Sequence, residues 1–236
     1  LIDGQCLNDK FKFNNTSTIS IGQFGNKWDF NDQGNIASDF NTDYSFTSSG
    51  TKNVKLTVVS EFGCLDSITK PIVVKQTPSS DFSYPFACDR TATPFTNLTN
   101  LNGENVLRYD WSFGNNITST QTSPNVNWPG TGKRNVSLKT TLTNGCSDII
   151  TKEIFVGVQP KADFEFEDKC SNEPVTFTNL TTFTNGKINY EWNFGDQNKS
   201  QVASPVHQYD PVTGSQTYFV QLKASIEGGC QDSIIK

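Results

Sequence analysis

Helical character is the first thing this sequence lacks. No run of ten or more residues shows a 3.6-residue apolar stripe, so an amphipathic helix has no place to form. No apolar run approaches the roughly 20 residues that a membrane-spanning helix needs. Neither a signal-peptide pattern nor an initiating methionine is present, so the chain reads as a mature product or as a piece of a longer one. Charge is sparse and unclustered: 18% of residues are charged, the net charge is −5, and there is no basic stripe. That argues against phosphate-driven binding of nucleic acid. Histidine occurs once, at His207, and no second positioned polar group repeats beside it. General acid–base catalysis therefore has no constellation to work with, and the chain is expected not to be an enzyme.

What is present is Thr, Asn, Ser, Val and Phe in short alternating runs punctuated by turn residues, an all-β signature. One phrase recurs: "NKWDFNDQG" at 26–34, "RYDWSFGNN" at 108–116 and "NYEWNFGDQ" at 189–197. Trp28, Trp111 and Trp192 are spaced by 83 and 81. Cys6, Cys88 and Cys170 are separated by 82 and 82, and Cys64, Cys146 and Cys230 by 82 and 84. A period of this length fits a small domain rather than a solenoid repeat, and three copies of one domain is the simplest reading.

The third copy shows how the pattern becomes a fold. "ADFEFE" (162–167) and "PVTFTNLT" (174–181) alternate as strands, and "NYEWNF" (189–194) is the central one, with Tyr190, Trp192 and Phe194 on one face. "TYFVQLKASI" (217–226), the turn "EGGC" and "QDSIIK" form a closing hairpin. Three rings on one face of a half-buried strand bury on the order of 150–250 Å² each. Two antiparallel sheets packed on those faces make an immunoglobulin-like sandwich. Each quoted phrase is then a core strand followed by a turn. Gly114 and Gly195 mark that turn, and Asn31 replaces the glycine in the first copy, because Asn visits left-handed backbone at little cost.

These residues resemble the PKD (polycystic kidney disease) domain, whose hallmark is W-x-F-G-D followed by H-x-Y and a glycine before a long strand. The third copy carries Trp192, Phe194, Gly195, Asp196, His207, Tyr209 and Gly214. The second has Trp111 and Phe113, with Asn115 for the acidic residue and Val126 for the histidine; the first has Trp28 and Phe30, with Tyr44 and Phe46 at the later positions. The resemblance covers the chain as three tandem PKD-like β-sandwich domains, 1–77, 78–159 and 160–236. It implies a structural role for His207. The late phrases "GCLDSITK", "GCSDIITK" and "GCQDSIIK", together with the early cysteines, look like the repeats of very long secreted surface adhesins of gliding Bacteroidetes, exported by type IX secretion. That resemblance implies an extracellular, cell-surface location and a stalk role in motility or attachment. Partners would be neighbouring repeats of the chain, and beyond them surface polysaccharide or the secretion and motility machinery. The alternative is an accessory module, for substrate binding or spacing, of a secreted polysaccharide hydrolase or protease. A dedicated binding module is a third reading, weakened like the second by aromatics that mostly follow core alternation.

The six cysteines favour disulfides over zinc, since their in-copy spacings of 58, 58 and 60 are far from C-x-x-C and no histidine supports them. Pairing within copies is expected: Cys6 with Cys64, Cys88 with Cys146 and Cys170 with Cys230. A loop of about 60 residues closed in this way adds roughly 4 kcal/mol on the chain-entropy model. Geometry raises an objection, because in a simple sandwich the two cysteines of a copy lie at opposite poles, roughly 20 Å apart. Either the first strand kinks toward the last, or the bonds join neighbouring copies. No cofactor is expected. Asp29, Asp32 and Asp196 could offer oxygens to calcium, but a proper site needs about six to eight oxygens and the second copy keeps only Asn in that turn, so turn chemistry is the favoured reading. N-x-S/T matches such as "NLT" at 97 and 179 arise readily in so Asn- and Thr-rich a sequence. The Bacteroidetes O-glycosylation pattern Asp-Ser/Thr-aliphatic fits Ser67 and Ser233, where Asp and Ser equally well open the last strand. Pro78 and Pro160 mark short, stiff junctions, so the copies are expected to form a semi-rigid row.

Overall fold

The computed structural model describes residues 5–170, 172–184, 186–226 and 229–236. Among the described residues there are strands, turns and bends and no helix. Glu227 and Gly228 of the expected closing turn lie outside the described residues.

In the first copy the phrase strand Phe24–Asp29 lies between Ile36–Ala37 and Gly50–Ser60, and Leu65–Val74 completes a four-stranded sheet. Phe11–Asn14 pairs antiparallel with Asn41–Tyr44 in a second, smaller sheet. Alternation decides what each strand buries. Phe11 and Phe13 from the small sheet meet Trp28, Phe30, Val54 and Leu56 from the large one in a single core, which is the sandwich arrangement.

The third copy repeats this plan. Lys199–Ser200, Ile188–Asn193, Gln221–Ile226 and Gln231–Ile235 form one sheet; Phe164–Phe166, Pro174–Asn179 and Val206–Gln208 form the other. Phe164, Val175 and Phe177 pack on Trp192, Phe194 and Leu222 between them. Register is the same in both copies, since Trp28 lies opposite Leu56 and Trp192 opposite Leu222. The expected strand at 217–226 begins only at Gln221; Val220 instead exchanges backbone hydrogen bonds with Lys236, and Phe219 is exposed. In the middle copy the sheet order is Thr118–Ser119, Val106–Ser112, Gly132–Leu142, Ser147–Gly157 and Ala87–Cys88, the last pair running parallel.

The chain divides into two compact units. One comprises Leu1–Asp81, Leu98–Trp111 and Ser137–Ile150; the other comprises Phe82–Asn97, Ser112–Val136 and Thr151–Lys236. Each therefore contains one outer copy and part of the middle copy.

The expected pairing of cysteines within copies is overturned. Cys6 is bonded to Cys146 and Cys88 to Cys230, each with Cα atoms 5.7 Å apart, while Cys64 and Cys170 are free and exposed. The pole-to-pole objection supplies the physical reason. The early cysteine sits beside the end of its own copy's last strand: Cys6 bridges Lys75, and Cys88 pairs with Gly157, both in parallel. The late cysteine follows the tight turn that begins that strand, at the other end, so a strand's length separates the two.

Candidate functional site: the joints between copies

Two places bring together chemistry that the repeat pattern duplicates, and both are junctions. In the first unit, Cys6 and Cys146 close a covalent link around the segment 75–80. Backbone bonds Leu7 N–H to Lys75 O and Lys75 N–H to Gln5 O hold the start of the chain against it. Asn144 donates its side-chain amide to Gln76 O at 2.9 Å, and Asn102 donates to Thr77 O at 3.0 Å. Asp148 accepts from Ser80 N–H at 2.7 Å. Thr77 and Pro78 are buried, so this connection is packed rather than strung across solvent.

The second unit repeats the joint. Asp89 N–H bonds Gly157 O, and Gln159 is held on all sides: its N–H donates to the Asp89 carboxylate and its side-chain amide to Gln231 O, while Arg90 and Thr91 donate to its two oxygens. Asp232 accepts from Ala162 N–H at 2.9 Å. Pro160 is buried. Ser80 and Ala162 are equivalent positions, as are Asp148 and Asp232, two residues after each late cysteine. The G-C-x-D phrase thus has two tasks: its cysteine bonds the preceding copy, and its aspartate fixes the start of its own copy's first strand. Gly63, Gly145 and Gly229 all have positive φ, which turns the chain so that the cysteine leads into the last strand. Both bridging late cysteines are buried, Cys146 to 1% and Cys230 to 4% exposure.

The other motif residues build cores. Trp28 and Trp192 donate their indole N–H groups to Asp39 O and Val202 O at 3.1 and 3.0 Å, and Trp111 and Phe113 are buried. His207 stacks on Phe194 with ring centroids 4.1 Å apart, and its Nε2 lies 2.7 Å from an Asp196 carboxylate oxygen. Tyr209 donates to Phe194 O at 3.1 Å, and burial, with the charge of Asp196 and the neighbouring Tyr218 adding to it, pushes its hydroxyl up to about 12. In the first copy Tyr44 takes the histidine's place, stacking on Phe30 at 3.9 Å and donating to Asp32 at 2.9 Å. His207 also meets the Tyr209 ring edge-on, with centroids 4.6 Å apart.

Asp32 is 3% exposed, and its two oxygens accept from Thr47 N–H, the Thr47 hydroxyl, the Tyr44 hydroxyl and Lys52 Nζ. Burial pushes its carboxyl up, but those four bonds together outweigh burial and hold it at about 2. A cation ligated there would have to displace the Lys52 ammonium. Asp29 is exposed and accepts from Asn31 N–H, and Asp196 is occupied by Asn198 and His207. Among the described residues, no group of three or more metal-ligating side chains comes together. Ser67 and Ser233 are exposed on the last strands of their copies.

The spacing of the cysteines located the joint residues, but pairing them by copy hid the joints. The usable signal was the pole-to-pole separation of the two cysteines of one copy, which leaves bonds between neighbouring copies as the alternative.

Residues 157–235 match the family model of the PKD domain. Among solved structures, the chain is similar to the PKD1 domain of Vibrio anguillarum Epp, with 24% identity over 35% of this chain and 96% of that one, and a TM-score of 0.33. It is similar to the PKD1 domain of the Vibrio cholerae metalloprotease PrtV, with 27% identity over 34% and 98% and a TM-score of 0.32. The three N-terminal domains of the bacteriophage RB49 highly immunogenic outer capsid protein share 11% identity over 98% of this chain and 91% of that one, with a TM-score of 0.37.

Proposed function

We propose that this chain is a stalk segment of a large secreted cell-surface adhesin, of the kind that gliding Bacteroidetes such as those bearing SprB export by type IX secretion for motility or attachment. The observation that carries this reading is the covalent joint. Each consecutive pair of copies is tied by a disulfide and by a linker whose polar groups are already bonded, a device suited to transmitting load. The bridges fit an oxidising, extracellular compartment. Among the described residues no helix is long and apolar enough to cross a membrane.

The copies would project a distal binding surface, with neighbouring repeats as their immediate partners and surface polysaccharide or the motility machinery beyond. Ser67 and Ser233 are the positions at which O-glycans would attach, both residues being exposed. The deciding experiment is the size of the native polypeptide, by denaturing gel and peptide mapping of secreted or surface-shaved material. A chain of several hundred kilodaltons filled with similar peptides is expected. A chain near 100 kDa with a catalytic domain would replace this reading with an accessory module of a secreted hydrolase or protease.

A further inference from the structure

The two bridges obey one rule: the early cysteine of a copy bonds the late cysteine of the copy after it, over sequence separations of 140 and 142 residues. Applied to all six cysteines, the rule leaves Cys64, a late cysteine, and Cys170, an early one, each needing a neighbour. These are the two that stand free and exposed.

We infer that Cys64 and Cys170 are half-cystines of the same joint, Cys64 bonding the early cysteine of a preceding PKD-like repeat and Cys170 the late cysteine of a following one. The partner is thus a repeat of this kind in the same polypeptide, and the observed separations place its cysteine nearly one repeat length beyond either end. The inference rests on the tandem-repeat reading of the proposed function.

Apolar exposure beside Cys64 matches an unfilled joint. Phe62 and Leu65, flanking Cys64, are 77% and 71% exposed. Their equivalents beside the bridged Cys146 are Asn144, which donates into the joint, and Ser147. In the second joint the Phe86 ring, from the early loop of the preceding copy, lies against Gly229, where an added Cβ would meet it at 2.3 Å. An apolar pair beside Cys64 is suited to packing on the early loop of a preceding repeat.

Bond formation follows thiol–disulfide exchange. The Cys170 thiolate attacks one sulfur of a disulfide-form oxidant, whose S–S bond breaks and releases one thiol. The incoming cysteine thiolate then attacks the mixed disulfide, forming the new S–S bond and releasing the second thiol. Two protein thiols lose two protons and two electrons, and one oxidant disulfide becomes a dithiol.

Continuing the chain after Lys236, the equivalent of Lys152, with a second copy of residues 153–236 keeps the repeat in register and supplies the missing late cysteine. After oxidative folding and blocking of free thiols, peptide mapping should show the Cys6–Cys146 and Cys88–Cys230 bonds and a third bond from Cys170 to the added late cysteine. Alkylation of Cys170 should fall from complete to residual. In the same extended chain carrying Cys170→Ser, the added late cysteine should become fully alkylated while the two original bonds persist, which separates loss of the bond from failure to fold. Cys170 recovered alkylated with both original bonds intact, or bonded to Cys64 of its own chain or of a second copy, overturns the inference. Mapping of the extended chain is blind to the size of the native polypeptide, so failure here and failure of the stalk reading are told apart.

Discussion

A buried carboxylate survives folding only if its lost hydration is replaced, and Asp32 shows how completely this sequence does so. Four donors, one of them the Lys52 ammonium at 3.2 Å, hold its carboxyl at about 2 against an ordinary 3.8. Because the folded value is the lower one, the stabilisation is fully present above about pH 4 and is lost as pH falls through 2. Asp32→Asn should therefore cost about 2 kcal/mol at pH 7 and almost nothing at pH 2. Urea midpoints measured across that range would check this, and a gap that stays constant down to pH 2 would refute the linkage. Gly195 is constrained twice. Its φ is +84°, and a Cβ there would meet Phe219 O at 2.8 Å. Gly195→Ala should destabilise the third copy by roughly 2 kcal/mol. Asn31, at φ 50°, should accept glycine with little change, measured in the same way.

At the scale of elements, what the sequence made legible was whatever repeats within one domain. The tryptophan strands, their buried faces and the left-handed turns at Asn31, Gly114 and Gly195 all follow from period-two alternation and from turn chemistry. The start of the strand at Gln221 was not legible, because Tyr218 and Phe219 continue the alternating pattern while their backbone is drawn aside at Gly195 and Lys236. Nor was the cysteine pairing. Spacing reports which positions are equivalent and not which lie side by side, and the neighbour of Cys88 is set by the parallel pairing of Ala87–Cys88 with Val156 and Gly157. That pairing makes its own prediction. A Cβ at Gly157 would lie 2.8 Å from the Cys230 sulfur, so Gly157→Val should block the bridge. Cys88 and Cys230 should then both become alkylatable under native conditions while Cys6 and Cys146 stay protected; an intact Cys88–Cys230 bond in that variant would show that the joint yields more easily than the geometry implies.

For the whole molecule, the two bridges interleave along the sequence, and that fixes how far the chain can be drawn out. Without cross-links, 236 residues extend to about 800 Å at 3.3–3.6 Å per residue. With both bonds intact, the shortest covalent path runs from Leu1 to Cys6, across to Cys146, back along the chain to Cys88, across to Cys230 and on to Lys236. That path holds about 70 residues and can reach about 240 Å even if every strand unfolds. Bonds within copies would have imposed a different limit, with the stretch from Cys64 to Cys88 free to extend and each sandwich bypassed separately. In a continuing ladder each additional repeat would contribute only the stretch between its own two cysteines in place of its whole length. Pulling single molecules by their termini should therefore give a ceiling of about 240 Å under oxidising conditions and of about 800 Å after reduction. An oxidised chain that lengthens well past the lower ceiling would mean that load does not run through these joints, and the mechanical role proposed for them would fall with it.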